Sequence, residues 1–367
     1  MPESPRRVYL HIGAPKTGTT YLQMVLWRNR RQLAANGVLF PVESGRTHFH
    51  AALDLRGARF GGHQDPAVAG SWRRFARQVT DWHGDAVLSH ELLAAATEEQ
   101  VRRAVESMQP AEVHVIYTAR DIARQIPAMW QESVKNGRTQ SFGRYVKRLR
   151  GADVRGRAGA IFWRSQDPVS VLGRWSTGVP ADRIHLVTLP PTGADPLLLW
   201  ERFCRVLRLD AGSFDAEITR SNVSMGLAEA ELVRRLNFRL RGRLPWPAYE
   251  AVVKQRLAEA TLAKRNASAR AALPPRQHRW AVVRAKEMVA TLEGAGYDVV
   301  GDLQELVPSA RKGKRAIDTR RPNKAAMIDA AVDVLAERLV AEGSAWAGSP
   351  RKRLRSSASR LRSRLRH

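Results

Sequence analysis

The stretch RVYLHIGAPKTGTTYLQ, residues 7 to 23, decides the fold. Its first seven residues form a β-rich apolar run that ends in Gly13 and reads as a short strand. From 19 to 35 the chain reads as a helix, with Leu22, Leu26 and Leu33 on a helical period. Between the two runs a turn bounded by Gly13 and Gly18. A strand, a glycine-bounded turn and a helix N-terminus bring several backbone N–H groups and the positive end of a helix dipole to one point, which favours an anion such as phosphate. The glycines allow the tight turn and the close approach, and the hydroxyls of Thr17, Thr19 and Thr20 add donors. Gly13 and Gly18 keep the glycine spacing of the triphosphatase loop G-x-x-x-x-G-K-[ST], yet Thr19 stands where that lysine belongs. The loop's lysine, Lys16, lies inside it.

Outward from this stretch the apolar runs alternate with helical patterns. GVLFP (37 to 41) is a short extended piece, and a helix over SWRRFARQVTDW (71 to 82) leads to a strand in DAVLSHE (85 to 91). A helix near 97 to 109 leads to a strand in AEVHVIYTARD (111 to 121), and RIHLVTLP (183 to 190) gives a further buried strand between the helices of VSVLGRW and PLLLWERFCRVLRL. The order β, α, β, α, β implies a parallel sheet with helices on both faces. Residues 225 to 295 read as mostly helical, and YDVVGDLQELVP (297 to 308) closes the globular unit. The expected fold is therefore α/β, with a central parallel sheet flanked by helices in three P-loop-like layers and a helical C-terminal half. The expected organisation is one domain over 1 to 310, then a basic linker, an amphipathic helix and a basic tail over 311 to 367. Ile328, Val332, Leu335 and Leu339 fall on one side of that helix.

The 367 residues are 44% hydrophobic, enough for a sizeable core. The single cysteine, Cys204, excludes an intramolecular disulfide. The first residues hold no apolar run of signal-peptide length, and no stretch approaches the roughly 20 apolar residues that span a bilayer. A cytoplasmic protein is the expectation. The formal charge of +26 points to polyanionic partners. Residues 311 to 367 hold 16 Lys and Arg against 5 Asp and Glu, so the end of the chain is its densest basic block. That block reads either as a disordered solvated tail or as a basic amphipathic segment on an anionic membrane surface. No nucleic-acid-binding motif accompanies the charge, so nucleic acid is not the expected partner.

PKTGTTYL (15 to 22) resembles the 5′-phosphosulfate-binding loop of the sulfotransferases that take their sulfuryl group from 3′-phosphoadenylyl sulfate, PAPS. The resemblance runs patchily over residues 7 to 308. It implies that Pro15, Lys16, Thr17, Gly18, Thr19 and Thr20 cradle the 5′-phosphosulfate, with Lys16 near the bridging oxygen, stabilising charge on the departing nucleotide PAP. It implies no metal. It further implies a 3′-phosphate site with an arginine at the end of a central strand, matched by Arg120, and a serine two helical turns on. Ala128 stands there instead, and Arg124, Gln125 and Ser133 are candidates to compensate. RSNVSMG (220 to 226) resembles a motif of bacterial members, which assigns Arg220 and Ser224 to the nucleotide; capping by Ser221 or Asn222 explains the same string equally well. Arg311, Lys312 and Gly313 spell a tripeptide that holds the 3′-phosphate in cytosolic members, but in so arginine-rich a tail the match reads as coincidence.

Transfer to a hydroxyl or amine needs a base for the acceptor's proton. The strand DAVLSHE delivers Ser89, His90 and Glu91 to the carboxyl edge of the sheet, where open α/β folds bind ligands. Members of the resembled family use a histidine after this strand or a glutamate; Glu91 is the first candidate, His90 the second, with His48 and His50 behind them. Trp130, Phe162 and Trp163 are either acceptor contacts or core. The expected function is sulfuryl transfer from PAPS to a small-molecule, glycan or lipid acceptor, with a peripheral membrane contact through the basic tail. The competing expectations are a P-loop phosphotransferase and a protein that binds nucleic acid or anionic membrane through its charge.

Overall fold

The computed structural model describes residues 5–59, 62, 65–151, 157–218, 224–265, 268–309 and 323–347. Arg220, the tripeptide at 311 to 313 and the tail beyond 347 lie outside these residues. Six strands make one all-parallel sheet: β1 (Arg7–Gly13), β2 (Val38–Leu39), β3 (Asp85–Ser89), β4 (Glu112–Ala119), β5 (Ile184–Thr188) and β6 (Asp298–Val300), in the order β2-β3-β1-β4-β5-β6. In register, Leu10 of β1 sits opposite Leu88 on one side and Val115 on the other. β1 thus lies inside the sheet, and its C-terminal loop opens at the middle of the carboxyl edge.

Alternate residues of each strand point to opposite faces, so each strand must find a core on both sides. On one face Val8, Leu10, Ile12, Leu88, Val115 and Leu186 pack against α3 (Thr47–Arg56), α4 (Ser71–Thr80), α5 (Glu98–Glu106) and α9 (Pro168–Trp175). On the other, Tyr9, Val87, Ile116 and Val187 pack against α1 (Thr19–Arg28), α2 (Arg30–Ala35) and α10 (Leu198–Leu207). The architecture is the expected three-layer α/β one. The helix expected over 19 to 35 is two helices, because the buried Asn29 donates its side-chain amide to Val25 O (2.9 Å) and Asp215 O (2.8 Å) at the join.

A second, helical core stands against this unit. α6 (Ile122–Lys135), α7 (Phe142–Arg150), α8 (Arg157–Gln166), α11 (Leu227–Leu240), α12 (Trp246–Tyr249), α13 (Pro275–Glu293) and α14 (Lys324–Ala347) bring together Ile126, Trp130, Phe142, Trp163, Val233 and Met288. Trp130, Phe162 and Trp163 are therefore core residues, all nearly inaccessible to solvent. Between α12 and α13 the chain winds through a π-helix over Glu250–Thr261. Such segments are rare, and single-turn ones are frequent at functional sites. α14 packs on α11 with Met327 and Ala330 buried, so the last described helix belongs to the helical layer.

Candidate active site

The turn after β1 has the geometry an anion cradle requires. Gly18 caps α1 in the left-handed region (φ 83°), no side chain caps the helix, and its first turn holds no acidic residue. The N-terminal amides thus meet no competing carboxylate of their own helix. A Cβ on Gly18 would lie 2.4 Å from Leu199 Cδ2, and Lys16 itself sits at positive φ (68°). The loop is braced from behind. Thr17 Oγ1 bonds Ala14 O (2.5 Å) and Thr118 Oγ1 (2.6 Å), while the side-chain amides of Gln125 and Gln166 donate to Pro15 O. Thr17 and Thr19 are buried, and the Thr17 hydroxyl holds the loop's shape; Thr20 faces the cavity beside it.

That cavity has a volume of about 1460 Å³ and is open to solvent. It lies between the carboxyl edge of the sheet and the helical layer. Lys16, Gly18, Thr20, Glu91, Arg120 and Ser224, six of the sequence's candidates, line it together with Ala128. Arg120 follows β4 and donates through Nη1 to Lys16 O (3.3 Å). Burial, together with the neighbouring Arg124 and opposed by Asp121, lowers its pKa to about 10, which leaves it charged at neutral pH. Its buried Nε has no hydrogen-bond partner among the described residues. Such an orphaned cationic donor beside the loop fits an anionic ligand with more than one phosphate.

Glu91 begins a 3₁₀ turn, Glu91–Ala95, immediately beyond β3. Gln23 of α1 donates to Glu91 Oε2 and to Ser89 O, both at 3.2 Å. Burial opposes its ionisation, but His90, a backbone amide, Gln23 and Lys16 outweigh that cost and hold its pKa below the ordinary carboxylate value. Glu91 is therefore in the proton-accepting form at neutral pH. His90, one residue earlier, turns the other way: its Nδ1 accepts from Leu92 N–H (3.2 Å), and its ring lies 5.4 Å from that of Phe49. As the cap of the turn, His90 does not line the cavity that Glu91 faces.

Two other histidines take structural positions. His48 accepts the Ser89 N–H at Nδ1 (3.0 Å) and donates from Nε2 to Pro41 O (2.7 Å), whereas His50 pairs with Asp65 at 3.4 Å. Neither lines the cavity. His11, which the sequence did not single out, contacts Ser89 Oγ at 2.7 Å and Thr118 Oγ1 at 3.3 Å. Burial lowers the pKa of both His11 and His48 to about 4, so both are neutral bridges.

Glu132 is the main site residue that the sequence left unmarked. It projects from α6 one turn beyond Ala128, and its carboxylate meets Lys16 Nζ at 2.5 Å, Lys135 Nζ at 2.9 Å and Lys254 Nζ at 3.5 Å. Burial opposes its charge, but these ammonium groups outweigh it and keep the carboxyl well below the usual range. The signal was a helical period running from Ala128 through Gln131 and Glu132 to Lys135 on the helix that follows Arg120. Gln125 acts on the loop backbone, and Ser133 bonds Trp130 O at 2.7 Å on the same helix. Among the described residues no group of three or more His, Cys, Asp or Glu side chains is arranged to hold a metal ion, and no helix is long and apolar enough to cross a membrane.

No protein family's sequence profile matches the chain, and no curated protein matches it. Among solved structures it is similar to a sulfotransferase from Alicyclobacillus acidocaldarius, at 14% identity and a TM-score of 0.40, over 68% of this chain and 96% of that one.

Proposed function

We propose that this protein moves a sulfuryl group from PAPS to a hydroxyl or amine of an acceptor. The observation that carries the proposal is the convergence of Lys16, in a glycine-bounded loop at an uncapped helix N-terminus, with the ionised Glu91 and the partly unpaired Arg120 on one cavity. PAPS would supply the sulfuryl group and leave as PAP. The amides of the loop and of the first turn of α1 would hold the 5′-phosphosulfate, and Arg120 the 3′-phosphate, with Ser224 at hand. Lys16 would face the bridging oxygen and stabilise the charge that gathers there as its bond to sulfur breaks. Glu91 would take the acceptor's proton as the new bond to sulfur forms. Gln23 fixes the carboxylate for that task.

Lys16 reaches a donor only by leaving Glu132, which keeps Lys135 and Lys254 as partners. The cavity is also larger than one nucleotide needs. Met24, Leu197, Ile218 and Met225 supply apolar wall, and Lys135, Lys254 and Glu259 supply charge, a mixture suited to an acceptor with both characters.

The direct test is calorimetry with PAP, followed by incubation of the protein with labelled PAPS and a cell extract and mass spectrometry of the products. Micromolar binding of PAP and a sulfated product formed in the presence of a chelator are the expected results. Absence of heat with PAP, or activity that requires magnesium and a nucleoside triphosphate, would replace the proposal with phosphoryl transfer.

A further inference from the structure

We propose that the outward face of α14 is a docking surface for an anionic lipid bilayer. Met327 and Ala330 bury one side of this helix in the core, yet a row of aliphatic side chains is left on the side away from it. Two of its acidic residues reach the neighbouring segment, Asp333 pairing with Arg265 and Glu337 accepting from Thr261 Oγ1 at 2.8 Å, while Asp329 and Glu342 face solvent and Glu342 pairs with Arg338. Its aliphatic row points outward, with Ile328 63%, Val332 56%, Leu335 59% and Leu339 67% exposed. The steps of four, three and four residues put these side chains in one continuous stripe. A stripe of that kind left in water is unfavourable, and it marks a surface that something apolar covers.

The flanking sequence selects the partner. Residues 311 to 322 carry six Lys and Arg against one Asp, and residues 348 to 367 carry eight Lys and Arg with no acidic residue. Basic segments therefore bracket the apolar stripe in the chain on both sides. An anionic leaflet neutralises both flanks while its hydrocarbon boundary takes the aliphatic row. A second copy of this chain would bring like-charged flanks together, and a nucleic acid would neutralise them but offer its phosphates to leucine and valine. The surface is separate from the cavity, so the inference stands or falls independently of sulfuryl transfer.

The test uses the full chain and sedimentation with vesicles of phosphatidylcholine alone or mixed with phosphatidylglycerol. The parent should bind the mixed vesicles and not the neutral ones. Leu335→Asp with Leu339→Asp, both at exposed positions, should lose at least tenfold in binding while every basic residue remains. Equal binding by this variant would overturn the proposal in favour of charge alone, and no binding by the parent would overturn it outright. Light scattering covers self-association: a parent dimer that the double variant turns into a monomer would also overturn it. A fluorophore placed by Leu335→Cys supplies a second measurement that needs no disruptive change, since the native Cys204 is buried. Its emission should shift to the blue with mixed vesicles, and an unmoved spectrum counts against insertion.

Discussion

Lys16 and Glu132 form the contact on which the proposed chemistry turns, and two substitutions separate their roles. On the proposed mechanism, Lys16→Ala should lower kcat by about 100-fold or more while PAP affinity falls less, measured by initial rates and calorimetry on the same preparation. An unchanged kcat would remove the lysine from the mechanism. Glu132→Gln should do the opposite to binding. It frees Lys16 and takes a negative charge from beside the nucleotide, so PAP should bind about three- to tenfold more tightly. The same change strips partners from partly buried ammonium groups and should cost about 3 kcal/mol of stability in denaturant unfolding. Tighter binding together with a weaker fold is the signature expected; weaker PAP binding would make Glu132 a ligand contact. The loop lysine was legible in the sequence because it sits in one unbroken string, Pro15 to Thr20, between a strand and a helix. Glu132 was not, because its partners come from β1's loop and from the π-helix, and pairing between remote segments leaves no local pattern.

At the level of elements, the end of β3 is held by two neutral imidazoles, and their titration gives the fold a pH dependence. Unfolded, a histidine takes up its proton near 6.5; folded, His11 and His48 resist it down to about 4 because burial penalises the charged ring. Between those values the unfolded chain binds more protons, so this stability is complete above 6.5 and drains away as the pH falls toward 4. The melting temperature should therefore fall between about pH 7 and about pH 5. His48→Gln preserves an acceptor for Ser89 N–H and a donor for Pro41 O without titrating, so its melting temperature should depend less steeply on pH. A slope identical to the parent's would show that other groups set the acid limit. Strand, loop and helix were readable here because alternation and helical period are local properties of sequence. The three-residue edge strand β6 was hidden in a closing segment, and the π-helix was indistinguishable from an α-helix, since one extra residue per turn alters backbone bonding rather than composition.

For the whole molecule, the decisive quantity is how much of the basic C-terminal end the fold requires. Composition suggests a cut near residue 310, because the charge density changes there. The packing argues for a later one: Met327 and Ala330 are buried in the helical core, and Arg265, which joins Glu229 of α11 to Asp333 of α14, would lose a partner on removal of the helix. Covering one methionine contributes about 2 kcal/mol on its own. A chain ending at Ala347 keeps every described residue that lines the cavity and should therefore melt with the parent and bind PAP with the same affinity. A chain ending at Ala310 should melt several degrees lower and expose the face of α11 that α14 covers, with raised binding of an apolar dye as the accompanying sign. If the shorter chain melts with the parent, α14 is an appendage and the helical layer closes without it. If the longer one loses PAP affinity, the basic tail contributes to the nucleotide site, and the division between a catalytic body and a membrane-directed end has to be redrawn.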